Sequence, residues 1–173
     1  MGKTLYLLRH AKSSWDDPSL SDHDRPLASR GRHASRIVAE QVRGQAIAPS
    51  LVLCSSASRT RETLELISAG FDTEGEVQIE EGLYATPAGD LLARLHEVEP
   101  DVDSVMLVGH NPAIQELALS LAGRGVQLER LREKFPTAAL ATLTFSVGWW
   151  QLGPGVAELV AFVRPRELER SPG

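Results

Sequence analysis

The sequence predicts an α/β fold, a three-layer α/β/α sandwich on a mostly parallel, mixed sheet with a C-terminal β-hairpin. Three observations predict it. Thr4–Leu8, Leu51–Cys54 and Val105–Val108 are short, continuous apolar runs of the kind found in strands covered on both faces. Each is followed by a segment of helical period, and alternating strands and helices build a sheet with helices on both sides. From Ala139 the period changes, and Ala139–Val147 and Ala157–Val163 read as two strands joined by the turn Gly148–Gly155.

In chain order, Ala11–Pro26 is polar, with Trp15, Pro18 and several aspartates, and reads as a long loop leaving the first strand. Ala34, Ile37, Val38, Gln41 and Val42 form one face of a helix from Ala28 to about Val42, ended by Gly44 and Pro49. The second strand opens onto Ser55-Ser56 and a helix from about Ala57 to Ser68. Val77–Ile79 is a weaker third strand, followed by a loop with Glu81 and Tyr84. Thr86-Pro87 then suits the cap and first position of a helix carrying Leu91, Leu92 and Leu95. After Val105–Val108, Asn111 suits an N-cap and Pro112 the first helical turn, with Ile114, Leu117, Ala118 and Leu121 behind them. Gly123–Pro136 reads as a charged connection, and the hairpin closes the sheet.

Size and composition bound the function. A chain of 173 residues with 42% hydrophobic content fills one domain spanning 1–173, with ample core. The formal net charge of -5 and the absence of a basic run argue against a nucleic-acid partner. No apolar run is long enough for a membrane helix, and the N-terminus lacks the basic-then-apolar pattern of a signal peptide. A cytoplasmic protein is the expectation. One cysteine, Cys54, permits no internal disulfide and is most simply a small buried hydrophobe.

In such sheets ligands sit beyond the carboxyl ends of the strands. Three strand exits carry chemistry: Arg9-His10, Ser55 to Arg59, and Gly109-His110. Convergence would pool two histidines, two arginines and the N–H groups of the helix starts near Ala57 and Asn111. Arginine forks and helix N-termini both favour a tetrahedral oxyanion, phosphate above all. A neutral imidazole beside a phosphoryl group is a competent nucleophile, and a second imidazole can bond the equatorial oxygens as charge redistributes. That chemistry requires neither metal nor cofactor.

The segments Leu8-Arg9-His10-Ala11, Ser55-Ser56-Ala57-Ser58-Arg59-Thr60 and Val108-Gly109-His110-Asn111-Pro112 resemble the three signature segments of the histidine phosphatase superfamily, the phosphoglycerate-mutase-like fold. Arg25-Pro26-Leu27 followed by Gly31, and Phe135-Pro136-Thr137, resemble the small SixA-type phosphohistidine phosphatases, so the likeness covers nearly the whole chain. It implies His10 as the phosphorylated nucleophile, Arg9 and Arg59 as phosphate clamps, and His110 as the second phosphate-binding histidine. Position 11 is Ala where many members carry Gly. Larger members supply a general-acid glutamate from an insertion after the third strand, for which this chain has little room. Glu81 is the candidate here, with Asp22 and Asp24 behind it.

An imidazole leaving group, with a reference pKa of about 6.5, departs without the acid that an alkoxide needs. The expectation is therefore a phosphatase acting on a phosphorylated protein, through phosphohistidine, with inorganic phosphate in the site. The alternatives are a small-molecule phosphomonoesterase of the same fold and a non-catalytic phosphate- or phosphoprotein-binding module. A mutase would want an enclosing cap that this chain lacks. Ser13 and Asn111 are further substrate-binding candidates, although Asn111 also reads as a structural cap. Lys12 and Ser14 lie near the pocket as ordinary loop residues. His23, His33 and His96 show no metal-ligand spacing, and Trp149-Trp150 read as an exposed aromatic pair in the hairpin turn.

Overall fold

The computed structural model describes residues 2–170. Among the described residues seven strands form one sheet: β1 (Lys3–Arg9), β2 (Leu51–Ser55), β3 (Glu76–Glu80), β4 (Ser104–Gly109), β5 (Ala122–Gly125), β6 (Leu140–Phe145) and β7 (Ala157–Val163). Their order is β3-β2-β4-β1-β6-β7-β5. The four strands from β3 to β1 are mutually parallel, β6 runs antiparallel to β1 and to β7, and β5 pairs parallel to β7.

Side-chain alternation explains the continuous apolar runs. Leu5, Leu7, Leu53 and Leu107 enter one core, beneath α3 (Ala88–His96), α4 (Ala113–Leu121) and α5 (Leu128–Glu133). Leu8, Val52, Cys54, Met106 and Val108 enter the other, beneath α1 (Ser29–Gly44), α2 (Ser58–Ser68) and α6 (Pro165–Arg170). With period two, only an apolar residue at every position satisfies both cores. Each fully buried Leu or Val contributes about 1.5–3 kcal/mol. The central strands are therefore a stiff platform for whatever leaves their ends.

Three expectations need correction. The hairpin β6–β7 lies inside the sheet, and β5, which runs from Ala122 into the stretch read as a connection, forms the edge beyond it. Its sequence Ala-Gly-Arg-Gly has no strand-like apolar pattern. What holds it is close backbone approach: Gly125 sits at φ +142, and a Cβ there would stand 2.2 Å from the Leu159 carbonyl oxygen. Trp149 is 1% exposed, packs edge-on to Phe145 at 5.0 Å between ring centroids and donates Nε1–H to the Val102 carbonyl, while Trp150 alone is 67% exposed. A one-turn 3-10 segment at Trp149–Gln151 turns the two side chains apart. Finally, α3 and α4 each begin one residue later than expected, with Pro87 and Pro112 at the N-cap positions.

Candidate active site

The β1 exit is held from three sides. His10 N–H donates to the Gly109 carbonyl of β4 at 3.1 Å, Ala138 N–H reaches the carbonyls of Arg9 and His10 at 3.0 and 3.1 Å, and Ala11 N–H donates to Thr63 Oγ1 of α2 at 2.9 Å. The loop that follows is pressed against α1, where a Cβ on Gly31 would stand 2.1 Å from the Lys12 carbonyl oxygen. His10 itself is 8% exposed. Its Nδ1 lies 2.7 Å from the Ala11 carbonyl oxygen, which can only accept, so Nδ1 carries the proton and the neutral ring keeps its lone pair on Nε2. Burial pushes the His10 pKa down to about 3, with the nearby His110, Arg59 and Arg9 acting in the same direction against the Ala11 carbonyl. The ring is neutral at physiological pH.

His110 leaves β4 beside it, ring centroids 5.3 Å apart. Its Nε2 lies 2.7 Å from Ser55 Oγ at the β2 exit, and Ala57 N–H, at 3.4 Å, donates to the same oxygen. The proton order that satisfies all three groups runs from Ala57 N–H to Ser55 Oγ and from the Ser55 hydroxyl to His110 Nε2, which leaves the ring proton on Nδ1. Burial, then the charge of Arg59, brings the His110 pKa down to about 4.

Arg59, in the first turn of α2 and 7% exposed, donates Nη1 to the Asp22 carbonyl oxygen at 2.7 Å and Nη2 to Asp22 Oδ2 at 3.0 Å. Arg9 donates Nη1 to the Phe135 carbonyl at 2.9 Å. Burial and the charge of Arg59 both lower the Arg9 pKa, so the two guanidinium groups feel each other. Arg9 Nε, Arg59 Nε and His110 Nδ1 are buried nitrogens with no hydrogen-bond partner among the described residues. All three are donors, and three buried donors beside a neutral imidazole suit a tetrahedral oxyanion.

The loop after β1 supplies a brace that the sequence reading missed. Asp22 Oδ1 accepts from Arg25 Nη2 and Nε at 3.0 and 3.3 Å, and Oδ2 accepts from Arg59 Nη2 and, at 2.7 Å, from the Tyr84 hydroxyl. The Tyr84 bond above all, with Arg25 and Arg59, holds the Asp22 carboxyl far below the usual carboxylate range. Asp22 is thus a fixed anion that positions Arg59, and as a proton donor it is unsuited. Arg25 is buried, stacks 3.6 Å from the Trp15 ring centroid and donates Nη1 to Ser13 Oγ at 2.7 Å. Ser13 therefore belongs to this brace.

The other candidates lie as follows. Asn111 Oδ1 accepts from Gln115 N–H and its Nδ2 donates to the Phe135 carbonyl, so its amide is engaged at both ends in joining α4 to the carbonyl that Arg9 uses. Glu81 is exposed in the 3-10 turn Glu81–Leu83, and its carboxylate has no partner among the described residues. Asp24 is exposed and pairs with His23. His33 pairs with Glu169, His96 bonds the Leu152 carbonyl, and burial raises the Cys54 thiol to about 12. Tyr84 and Ser55 offered only weak sequence signals, an aromatic and a hydroxyl at strand exits.

With this geometry in place, the family follows. The model of the histidine phosphatase superfamily (branch 1) matches residues 5–98. The chain belongs to that superfamily. The matched span of this histidine phosphatase includes Arg9, His10 and Arg59, and His110 lies beyond it. An uncharacterized protein of Mycobacterium tuberculosis is 36% identical over 163 residues, covering 92% of this chain and 100% of that one. The phosphohistidine phosphatase SixA of Escherichia coli is 27% identical over 159 residues, covering 87% and 93% of the two chains. A structure described as a putative phosphohistidine phosphatase SixA from Nakamurella multipartitia superposes with a TM-score of 0.82 at 30% identity, covering 95% of this chain and 97% of that one.

Proposed function

We propose that this histidine phosphatase removes phosphate from phosphohistidine on a protein, through a phosphorylated His10. The observation that carries the reading is the orientation of His10: Nδ1 is tied to the Ala11 carbonyl, so a neutral Nε2 is left beside three buried donors, Arg9 Nε, Arg59 Nε and His110 Nδ1. In the first step His10 Nε2 bonds to phosphorus as the substrate P–N bond breaks, and the departing imidazole takes that electron pair. The donors take up charge on the equatorial oxygens, where a dry, fixed site stabilises most. In the second step water attacks phosphorus, the P–Nε2 bond breaks with its pair returning to His10, and the water hydrogens leave with inorganic phosphate.

The choice of leaving group rests on the surroundings of the site. Asp22 is ionised and fully bonded, and Glu81 stands exposed at the end of β3. An imidazole protonated on its far nitrogen leaves without a strong acid, whereas an alkoxide does not. Between β3 and α3 the chain spends only residues 81–87, too few for a cap, so a side chain on another protein can reach in.

The test is a competition between a phosphohistidine protein and a panel of alkyl and aryl phosphates. The expected result is preference for phosphohistidine and a base-stable, acid-labile phosphoenzyme that His10→Asn lacks. Equal rates on alkyl phosphates would overturn the substrate, and phosphate binding without turnover of any of them would favour a binding module.

A further inference from the structure

Four aromatic rings run in sequence from the base of the site to its surface. His10 meets His110 at 5.3 Å, His110 meets Tyr84 edge-on at 5.6 Å, and Tyr84 meets His23 edge-on at 4.8 Å between centroids. Exposure rises along the series, from the buried His10 to the half-exposed Tyr84 and His23. Tyr84 also faces the Arg59 guanidinium, 5.9 Å from its ring centroid. It thus touches two of the groups assigned to the equatorial oxygens, from the solvent side.

In-line transfer fixes what lies there. The attacking and leaving atoms stand on opposite sides of phosphorus. With His10 at the buried base, the leaving group departs outward, past the rim that Tyr84 and His23 build. Neither rim residue is free to act as an acid in this arrangement: the Tyr84 hydroxyl donates to Asp22, and His23 bonds Ser56 and Asp24. What they offer the leaving group is ring surface. Flat partners gain about 0.5–1.5 kcal/mol from aromatic contact beyond simple burial, and an alkyl chain of similar size gains less.

We infer that Tyr84, backed by His23, is the specificity-determining wall of a leaving-group subsite for flat, π-bearing groups, imidazole and aryl, in preference to alkyl alcohols. The inference rests on the reading of His10 as nucleophile. It extends that reading by locating the preference in a ring, separate from the question of the general acid.

The hydroxyl and the ring of Tyr84 have separable effects. Tyr84→Phe removes the bond to Asp22 and loosens Arg59, which slows every phosphate substrate alike. Tyr84→Leu removes the ring as well, and so changes selectivity. The experiment measures kcat/KM of wild type and both variants on N-phosphoimidazole, para-nitrophenyl phosphate and glycerol phosphate. The ratio of each flat substrate to glycerol phosphate is expected to stay within about twofold in Tyr84→Phe and to fall about five- to tenfold in Tyr84→Leu. Comparing ratios between variants cancels the intrinsic reactivity of each ester. Should Tyr84→Leu be inert on all three, His23→Ala is scored in its place, with a fall of about threefold expected from loss of the outer ring. An unchanged ratio in the scored variant, or an equal fall in Tyr84→Phe, overturns the inference. A wild type that hydrolyses alkyl phosphates as fast as a phosphohistidine protein overturns the proposed substrate, whatever the variants do to the ratio.

Discussion

The exits of β1 and β4 are alike in sequence and opposite in chemistry. Both strands carry a buried apolar run, both lead directly into a histidine, and both imidazoles are neutral because burial lowers their pKa, to about 3 and about 4. The difference lies in which nitrogen is tied down. His10 is held through Nδ1 by the carbonyl of its own neighbour, which leaves an Nε2 lone pair. His110 is held through Nε2 by Ser55 of a different strand, which leaves a buried Nδ1 without a partner among the described residues. In the proposed mechanism one ring gives an electron pair and the other a hydrogen bond. The role of a buried histidine is thus set by the group that fixes it, more than by its place at a strand end.

The sharpest way to break this comparison is to replace each ring with asparagine. His10→Asn removes the electron pair and is expected to cost at least about 10³-fold in kcat, with the phosphoenzyme gone. His110→Asn removes only a donor and should cost about 10²-fold, with the phosphoenzyme still formed, more slowly. Quenched-flow trapping under alkaline conditions distinguishes them. Equal losses, or a phosphoenzyme surviving in His10→Asn, would mean that the two roles are wrongly divided.

Ser55→Ala tests the means by which His110 is held. Without the hydroxyl, the ring proton can sit on either nitrogen, and about half an order to one order of magnitude in kcat/KM should be lost, the worth of one hydrogen bond. Ser55→Thr, which keeps the hydroxyl, should recover most of it. Failure of the threonine to rescue would assign Ser55 to packing alone.

The pH dependence separates the pair from ordinary surface histidines. With the ionisation of the substrate divided out, kcat/KM is expected to be flat within about twofold from pH 6 to 8 and to decline on the acid side only near pH 4 and below. An acid limb at about 6.5, the reference value, would contradict the burial argument. Stability carries the same sign. Between about 6.5 and the folded-state values the unfolded chain binds more protons, so the protein loses stability as pH falls through that window and regains it as pH rises. In His10→Asn the loss should be shallower, as read by urea midpoints at a series of pH values.

What the sequence disclosed and what it did not follow one physical line. Strands covered on both faces demand unbroken apolar runs, so β1, β2 and β4 and the polar residues at their ends were legible, and with them Arg9, His10, Arg59 and His110 as candidates. Edge strands carry no such demand. β5 went unread because Gly123 and Gly125 admit a neighbouring backbone without any apolar pattern, and β3 read as weak because Val77 and Ile79 are half exposed. The brace was invisible for another reason. Asp22, Arg25 and Tyr84 meet across 62 residues of chain through side chains on loops, and no local period registers such a meeting. Asp22 could be noticed as an acid near the first strand, but that it is pinned by two arginines and a phenol is a property of the assembled loops.

In the proposed mechanism neither strand exit brings a proton donor to the departing atom, and Glu81 is the remaining expectation from the sequence. It stands exposed after β3, with no partner among the described residues, on the same short segment as Tyr84. If the substrate is phosphohistidine, the leaving imidazole carries its own proton, and Glu81→Gln should change kcat/KM by no more than about twofold on a phosphohistidine protein. On glycerol phosphate, any acid catalysis that Glu81 provides would be lost, and the general-acid contribution of about 10²-fold or more gives the scale of the change. A large loss on both substrates would make Glu81 a general part of the machinery and undo the distinction between leaving groups. A small effect on both would leave the two histidine exits and their arginines to account for the chemistry, with the ring wall at Tyr84 setting what is allowed to leave.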